Sequence, residues 1–291
     1  MKVGLIGTGM LGNAVGMHLL NSGYQLTVFN RTNEKTNELK IKGAKIVLTP
    51  KEVAENSEII ITVVKDANAV KQISFEKDGI IHGKHLDLAV CDMSTINPIE
   101  SKIIAKKFFE NNISMLDTPV MGGPNVAITG ELVMMAAGER NTFDKCKQVL
   151  DVIANKIFFL GENGTAHAVK LTMNLQIVML ALAISEGITL ARGAKVEPSI
   201  FLEILNSTYF KTGMSQNKAY KMIQDKFDPT FTLENLKKDI NTISDTSKAL
   251  GVNLPMIKKA EEIYEKAVKE GFGQLDYTGI LAYLKKLNEK N

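Results

Sequence analysis

VGLIGTGMLGNAVGMHLL, Val3–Leu20, is the stretch whose reading decides the fold. Val3–Ile6 is a short apolar run suited to a buried strand. Gly7-Thr8-Gly9-Met10-Leu11-Gly12 follows at once and opens a helical pattern that reaches Leu20. In a G-x-G-x-x-G loop of this kind each glycine has a reason. Gly7 permits the tight turn, Gly9 lets backbone approach a pyrophosphate, and Gly12 lets the helix pack closely on the strand. The helix N-terminus adds free N–H groups and a partial positive charge. With 22 glycines in 291 residues the motif alone is weak evidence. Its place at the head of a strand–helix–strand unit of about thirty residues makes it a dinucleotide site.

The second strand of that unit ends in Thr27-Val28-Phe29-Asn30-Arg31-Thr32. A site built for NAD carries an acidic residue here, which accepts hydrogen bonds from the ribose. Asn30 stands there instead, and Arg31 follows. A carboxylate would repel a 2′-phosphate, whereas a guanidinium binds it with paired hydrogen bonds. Thr32 adds a hydroxyl donor. The expected cofactor is therefore NADP(H), with Gly7, Thr8, Gly9, Met10, Leu11, Gly12, Asn30, Arg31 and Thr32 around it. Val63 and Val64, closing the strand Ile59–Val64, are assigned to the cofactor as well.

Outward from this unit, short apolar runs alternate with helical patterns as far as Gly161. The strands are Val3–Ile6, Leu26–Phe29, Ile59–Val64, Leu86–Cys91, Met115–Leu116 and Ile157–Leu160. Helices are expected near 10–22, 33–42, 67–75, 97–110 and 141–154. That alternation implies a mostly parallel sheet covered on both faces. From Thr165 to Gly193 one long helical segment runs without proline, apolar on every side in its middle and so expected to be buried on every side. Further helices follow near 197–206, 213–224, 232–249, 255–270 and 276–288, with no strand signal. The expectation is an α/β chain. Residues 1–162 form a Rossmann-type NADP-binding domain, and a long helix joins it to an all-α substrate and oligomerisation domain, 163–291.

Composition narrows the function. Apolar residues make up 45% and charged residues 23%, as in an ordinary globular protein. With 35 basic and 32 acidic residues, net charge is +3, which leaves no electrostatic footprint for nucleic acid or an anionic membrane. Cys91 and Cys146 follow no metal-ligand spacing, and His18, His82, His85 and His167 are dispersed, so no metal site is expected. MKVGLIG lacks the apolar core of a signal peptide, and the apolar stretch Leu175–Ile184 is about half a membrane span. A cytoplasmic protein is expected.

Two segments carry candidate chemistry. Gly122 and Gly123, after the short strand Met115–Leu116, can offer bare N–H groups to a substrate carboxylate; an ordinary glycine turn is the alternative. Lys170 and Asn174 lie four residues apart and share a helix face. A lysine ahead of an apolar helix section is poorly solvated, and desolvation lowers an amine's pKa toward the value of about 7–8 that suits a general acid near neutral pH. Spacing alone leaves open a lysine that snorkels to solvent.

These residues together resemble the β-hydroxyacid dehydrogenases, a family that includes 3-hydroxyisobutyrate dehydrogenase, tartronate semialdehyde reductase and the glyoxylate/succinic semialdehyde reductases. The resemblance runs through Gly7–Gly12 with Asn30-Arg31-Thr32, then Asp117–Pro124 continuing to Gly138, then Gly161–Asn174, then Lys238-Asp239. It implies a C-terminal domain of the 6-phosphogluconate dehydrogenase type. It also implies Lys170 as the catalytic acid/base, with Asn174 orienting the lysine or binding substrate oxygen. It puts Thr95 beside the nicotinamide and substrate, brings Lys238 (cofactor) and Asp239 (substrate) toward the site, and lines the substrate pocket with Phe231. Similar enzymes carry serine before the paired glycines. Met121 stands there in this chain, and a thioether cannot donate a hydrogen bond; weaker carboxylate binding or a bulkier, more apolar substrate follows. The implied partner is a small carboxylate-bearing carbonyl or hydroxy acid, and a homodimer or homotetramer is expected. Two alternatives are an imine reductase or serine-type amino acid dehydrogenase on the same fold, against which Lys170 argues, and a non-catalytic dinucleotide-binding protein.

Overall fold

The computed structural model describes every residue except Lys84, Leu86, Lys290 and Asn291. The chain forms two compact units, Met1–Lys170 and Leu171–Asn291.

Unit one is built on a six-stranded parallel sheet. Its strands are β1 (Lys2–Ile6), β2 (Gln25–Phe29), β3 (Lys45–Ile46), β4 (Ile59–Thr62), β5 (Ala89–Asp92) and β6 (Ser114–Asp117), in the order β3-β2-β1-β4-β5-β6. The strands are short and almost wholly apolar because both faces are covered. Alternation along them sends Val3, Leu5, Val28, Ile59, Ile61 and Cys91 to one core and Ile6, Ile60, Val90 and Met115 to the other. Helices Met10–Asn21 and Arg140–Ile153 cover the first face; Pro50–Glu55, Ala67–Phe75 and Pro98–Phe109 cover the second.

A second sheet was not legible in the sequence. Strands β7 (Val120–Met121), β8 (Leu132–Ala136) and β9 (Ala154–Phe159) form it, with β7 antiparallel and β9 parallel to β8. The expected strand Ile157–Leu160 therefore belongs to this sheet and not to the parallel one. β3 and the helix Pro50–Glu55 were also unforeseen, since a two-residue strand and a six-residue helix are too short to show a period. The expected helix 33–42 is split into a 3₁₀ turn, Asn33–Thr36, and a short helix, Asn37–Ile41. Ile59–Val64 stops as a strand at Thr62, so Val63 and Val64 lie in the following loop. Leu86, the expected start of the fifth strand, lies outside the described residues; the strand is seen from Ala89.

Unit two has the expected helices, among them Pro198–Asn206, Leu233–Ala249, Pro255–Ala267 and Ile280–Glu289. The long helix runs from Thr165 to Gly193, and the division between the units falls within it, beyond residue 162. Its first turn belongs to unit one because Ala166 packs with Met135 and Ala137. Leu171, Val178 and Ala181 enter the core of unit two, where they meet Leu236, Ile240 and Tyr264.

The expectation that this helix is buried on every side is wrong. Only 33% of its most apolar window is buried, and Met173 is 40% exposed. The reason is geometric: neighbouring helices cover one flank, and the other flank keeps its apolar side chains without a covering element among the described residues. Its mean hydropathy of 1.6 over that window makes it, by length and composition alone, apolar enough to cross a membrane. Buried polar side chains at His167, Asn174 and Ser185 nevertheless punctuate it.

Candidate active site

The glycine loop sits where its sequence demands. Gly7 turns through a left-handed conformation, φ +99°, and a Cβ there would lie 2.2 Å from the Val63 carbonyl oxygen. A Cβ on Gly12 would lie 2.0 Å from the Gly7 carbonyl oxygen, so helix and strand can meet only without side chains. Gly9 differs, because its missing Cβ faces open space. The helix Met10–Asn21 has no side-chain cap and no acidic residue in its first turn, which leaves N–H groups and a positive dipole end facing that space. These features fit a dinucleotide pyrophosphate.

Asn30 braces the loop from β2. Its Oδ1 accepts from the Thr8 N–H at 3.0 Å, and its Nδ2 donates to the Thr32 carbonyl at 2.8 Å. Arg31 and Thr32 are exposed beyond it. The Val63 N–H donates to Ile6 at 2.9 Å, and the Val64 N–H donates to Ser94 Oγ at 3.0 Å. Half-buried Thr95 follows Ser94. The structure thus gathers Gly7–Gly12, Asn30–Thr32, Val63–Val64 and Thr95 at the C-terminal edges of β1, β2, β4 and β5. Strand order reverses between β1 and β4, and ligands of open α/β sheets bind in the crevice at such a point.

A second group lies in the same unit. Met121 ends β7 and packs with Met135, Ala137 and Ala166. Gly122 has φ +121°, and a Cβ there would press within 2.6 Å of Leu132 Cδ2. Gly123 follows with open space at its Cβ position. Lys170 is half-buried, and its Nζ donates to Met121 Sδ at 3.3 Å. A thioether is a weak, uncharged acceptor.

Unit two holds the remaining candidates. Asn174 is buried, and its Nδ2 donates to Asp239 Oδ2 at 2.7 Å. That bond fixes the amide so that Oδ1 is left to accept; it is buried and has no hydrogen-bond partner among the described residues. Lys238 Nζ lies 2.5 Å from Asp239 Oδ1. Phe231 is partly buried, with its ring edge-on to Tyr277 at 6.2 Å between centroids.

Sequence reasoning missed one feature. Asp92 and Asp117 end β5 and β6 and face each other in register, and His167 lies against both. All three are wholly buried. A signal existed, because a carboxylate that ends an otherwise apolar buried strand must find a partner. Burial pushes the Asp92 carboxyl above its ordinary range, against the opposing pull of His167 and of hydrogen bonds from Thr62 and Ser94.

A glycine loop at the switch point of a doubly wound sheet, with a lysine near a second glycine loop, defines the class: an NAD(P)-binding oxidoreductase. Residues 2–161 match the family described as the NAD-binding domain of 6-phosphogluconate dehydrogenase. Residues 164–284 match the NAD-binding domain of NADP-dependent 3-hydroxyisobutyrate dehydrogenase. The chain belongs to the β-hydroxyacid dehydrogenase family. It is 32% identical to the uncharacterized oxidoreductase YfjR of Bacillus subtilis over 98% of this chain and 100% of that one. It is 29% identical to glyoxylate/succinic semialdehyde reductase 1 of Arabidopsis thaliana over 98% of this chain and 99% of that one. A crystal structure of 3-hydroxyisobutyrate dehydrogenase from Salmonella typhimurium superposes with a TM-score of 0.89 at 26% identity, covering 97% of this chain and 99% of that one.

Proposed function

We propose that the protein interconverts a small hydroxy acid and its semialdehyde or keto acid, with NADP(H) as cofactor and Lys170 as general acid/base. The observation that carries this reading is the Lys170 ammonium beside the Met121–Gly123 loop, in the unit that also holds the Gly7–Gly12 loop. Bound cofactor supplies or takes up the hydride. Lys170 donates a proton to the carbonyl oxygen during reduction and accepts the hydroxyl proton in reverse. The Gly122 and Gly123 N–H groups hold the substrate carboxylate. In unit two, Asn174 Oδ1 is held as a fixed acceptor by the bond from its amide to Asp239. Met121 gives this pocket an apolar, polarizable wall, which favours a substrate with an apolar substituent next to its carboxylate.

The test is loss of NADPH absorbance with glyoxylate, succinic semialdehyde, methylmalonate semialdehyde and a cyclic imine. Oxidation with at least one carbonyl acid is expected. Lys170→Ala should cut kcat by roughly 10²–10⁴-fold with the fold intact. Turnover of the imine alone, or near-normal turnover by the variant, overturns the reading.

A further inference from the structure

The buried group of Asp92, Asp117 and His167 has no part in the mechanism above, yet each member stands a few residues before a segment of unit one that the mechanism or the site uses. Asp92 leads into Ser94 and Thr95. Asp117 leads into Met121, Gly122 and Gly123. His167 lies one turn before Lys170 on the same helix. Its Nε2 is 3.8 Å from Asp92 Oδ2 and 3.7 Å from Asp117 Oδ1, and all three side chains are fully buried.

Every oxygen of the two carboxyl groups except Asp92 Oδ2 is fixed by hydrogen bonds. Asp92 Oδ1 accepts from Thr62 Oγ1 at 2.6 Å and from the Ser94 N–H at 3.2 Å. Asp117 Oδ1 accepts from Ser101 Oγ at 2.5 Å and from Asn163 Nδ2 at 3.0 Å, and its Oδ2 accepts from the Gly164 N–H. Asp92 Oδ2 and both imidazole nitrogens have no hydrogen-bond partner among the described residues. The imidazole is therefore held by packing, wedged between two carboxyl groups whose own positions are determined. Along the chain, Cys91 adjoins Asp92, Glu162 stands in the turn before the helix and Lys170 one turn after His167, while Lys102 of the Pro98–Phe109 helix lies against Gly164. On the second sheet, apolar Met121, Met135 and Ala137 pack with Ala166, the residue before His167.

Two buried carboxyl groups side by side need a polar neighbour in a dry site, and removing the imidazole that lies against both leaves Asp92 Oδ2 with none. Loss of the imidazole also empties the space between the two strand ends, which lead into Thr95 and the glycine pair. The helix turn that bears Lys170 loses its anchor at the same time.

We propose that His167 is a positioning residue for Lys170: by bridging Asp92 and Asp117 it holds the first turn of the long helix in register with the Ser94–Thr95 and Met121–Gly123 loops. This inference rests on the proposed role of Lys170. It concerns geometry, because His167 lies too deep to touch substrate.

The experiment uses the full chain with His167→Gln and His167→Leu. Four quantities are measured: melting temperature, NADPH dissociation constant, kcat and KM against pH, and the pH-dependent rate at which an N-hydroxysuccinimide ester acylates Lys170, read by peptide mass spectrometry. NADPH affinity should stay within about threefold, while kcat falls about tenfold or more in the leucine variant and less in the glutamine variant, as expected when a reacting group is slightly misplaced. The Lys170 acylation profile should be displaced along the pH axis in both. If His167→Leu fails to fold, Asp92→Asn/His167→Leu puts a neutral amide in place of the unpartnered carboxyl; it should fold and, still lacking the imidazole wedge, keep the low kcat and displaced acylation. Unchanged kcat, KM and acylation profile in folded variants, with only a lower melting temperature, would overturn the proposal. Acylation needs no substrate, so it decides the role of His167 even where no carbonyl acid is turned over and the reaction assignment fails.

Discussion

Arg31 stands exposed at the end of β2, one position past the Asn30 brace. Its neighbour's two amide bonds stiffen the backbone between the glycine loop and Thr32, so the guanidinium projects from a fixed base. Arg31→Ala should raise the Michaelis constant for NADPH by about 10- to 100-fold, the equivalent of one lost charge-assisted contact, and leave that for NADH nearly unchanged. Equal effects on both cofactors would remove the assignment to NADPH. At this scale the sequence was highly legible. The three loop glycines, the neutral Asn30 and the thioether at Met121 are each local facts, and their steric and charge consequences do not depend on what folds around them. Lys170 was half legible: its type and spacing suggested a proton donor, but its contact with Met121 joins positions far apart in the chain.

Elements were legible in proportion to their length. The long helix, the helices over Met10–Asn21 and Leu233–Ala249 and the apolar strands β1 and β4 carry enough residues to show a period. β3 and β7, with two residues each, do not. Nor does any period show the latch that ties together separate elements of unit two. Asp276 accepts from Lys218 Nζ at 2.8 Å, from the Thr230 N–H at 3.0 Å and from Thr278 Oγ1 at 2.9 Å. Burial alone would raise its carboxyl, but the Lys218 ammonium and these hydrogen bonds more than offset that and hold it below its ordinary 3.8. A carboxyl lowered on folding stabilises above its unfolded value, and that contribution is lost as pH falls through the folded value. Asp276→Asn should therefore cost roughly 1–3 kcal/mol near pH 7, the penalty for a broken charge-assisted bond. The difference from wild type should shrink below about pH 4. Urea unfolding followed by helical circular dichroism checks this; a constant difference across pH would show that the carboxylate charge is not what matters.

At the scale of the whole molecule, unit two leaves several large apolar side chains exposed. Leu190, Ile200, Ile204, Tyr209 and Phe210 are all exposed, as is Met173 on the long helix. We propose that a second copy of the chain covers them, giving a homodimer or homotetramer. Sedimentation velocity should show a dimer or tetramer for the wild type, and Leu190→Lys/Ile204→Lys should shift it to a smaller species. A monomeric wild type at micromolar concentration would sink the proposal.

The sequence by itself determined what is local: the strand–glycine loop–helix, the alternation that makes a parallel sheet, the helical character of everything after Thr165, and the uncharged, arginine-flanked end of β2. Those follow from backbone sterics and from the two hydrophobic periods, which act over a few residues. Only the tertiary structure decided that β7, β8 and β9 form a sheet of their own, that the long helix keeps one flank exposed, and that Asp92, Asp117 and His167 share one buried space. Strand pairing and the meeting of buried charges depend on which distant segments become neighbours. A periodic pattern says which face a residue takes and not what it will find there.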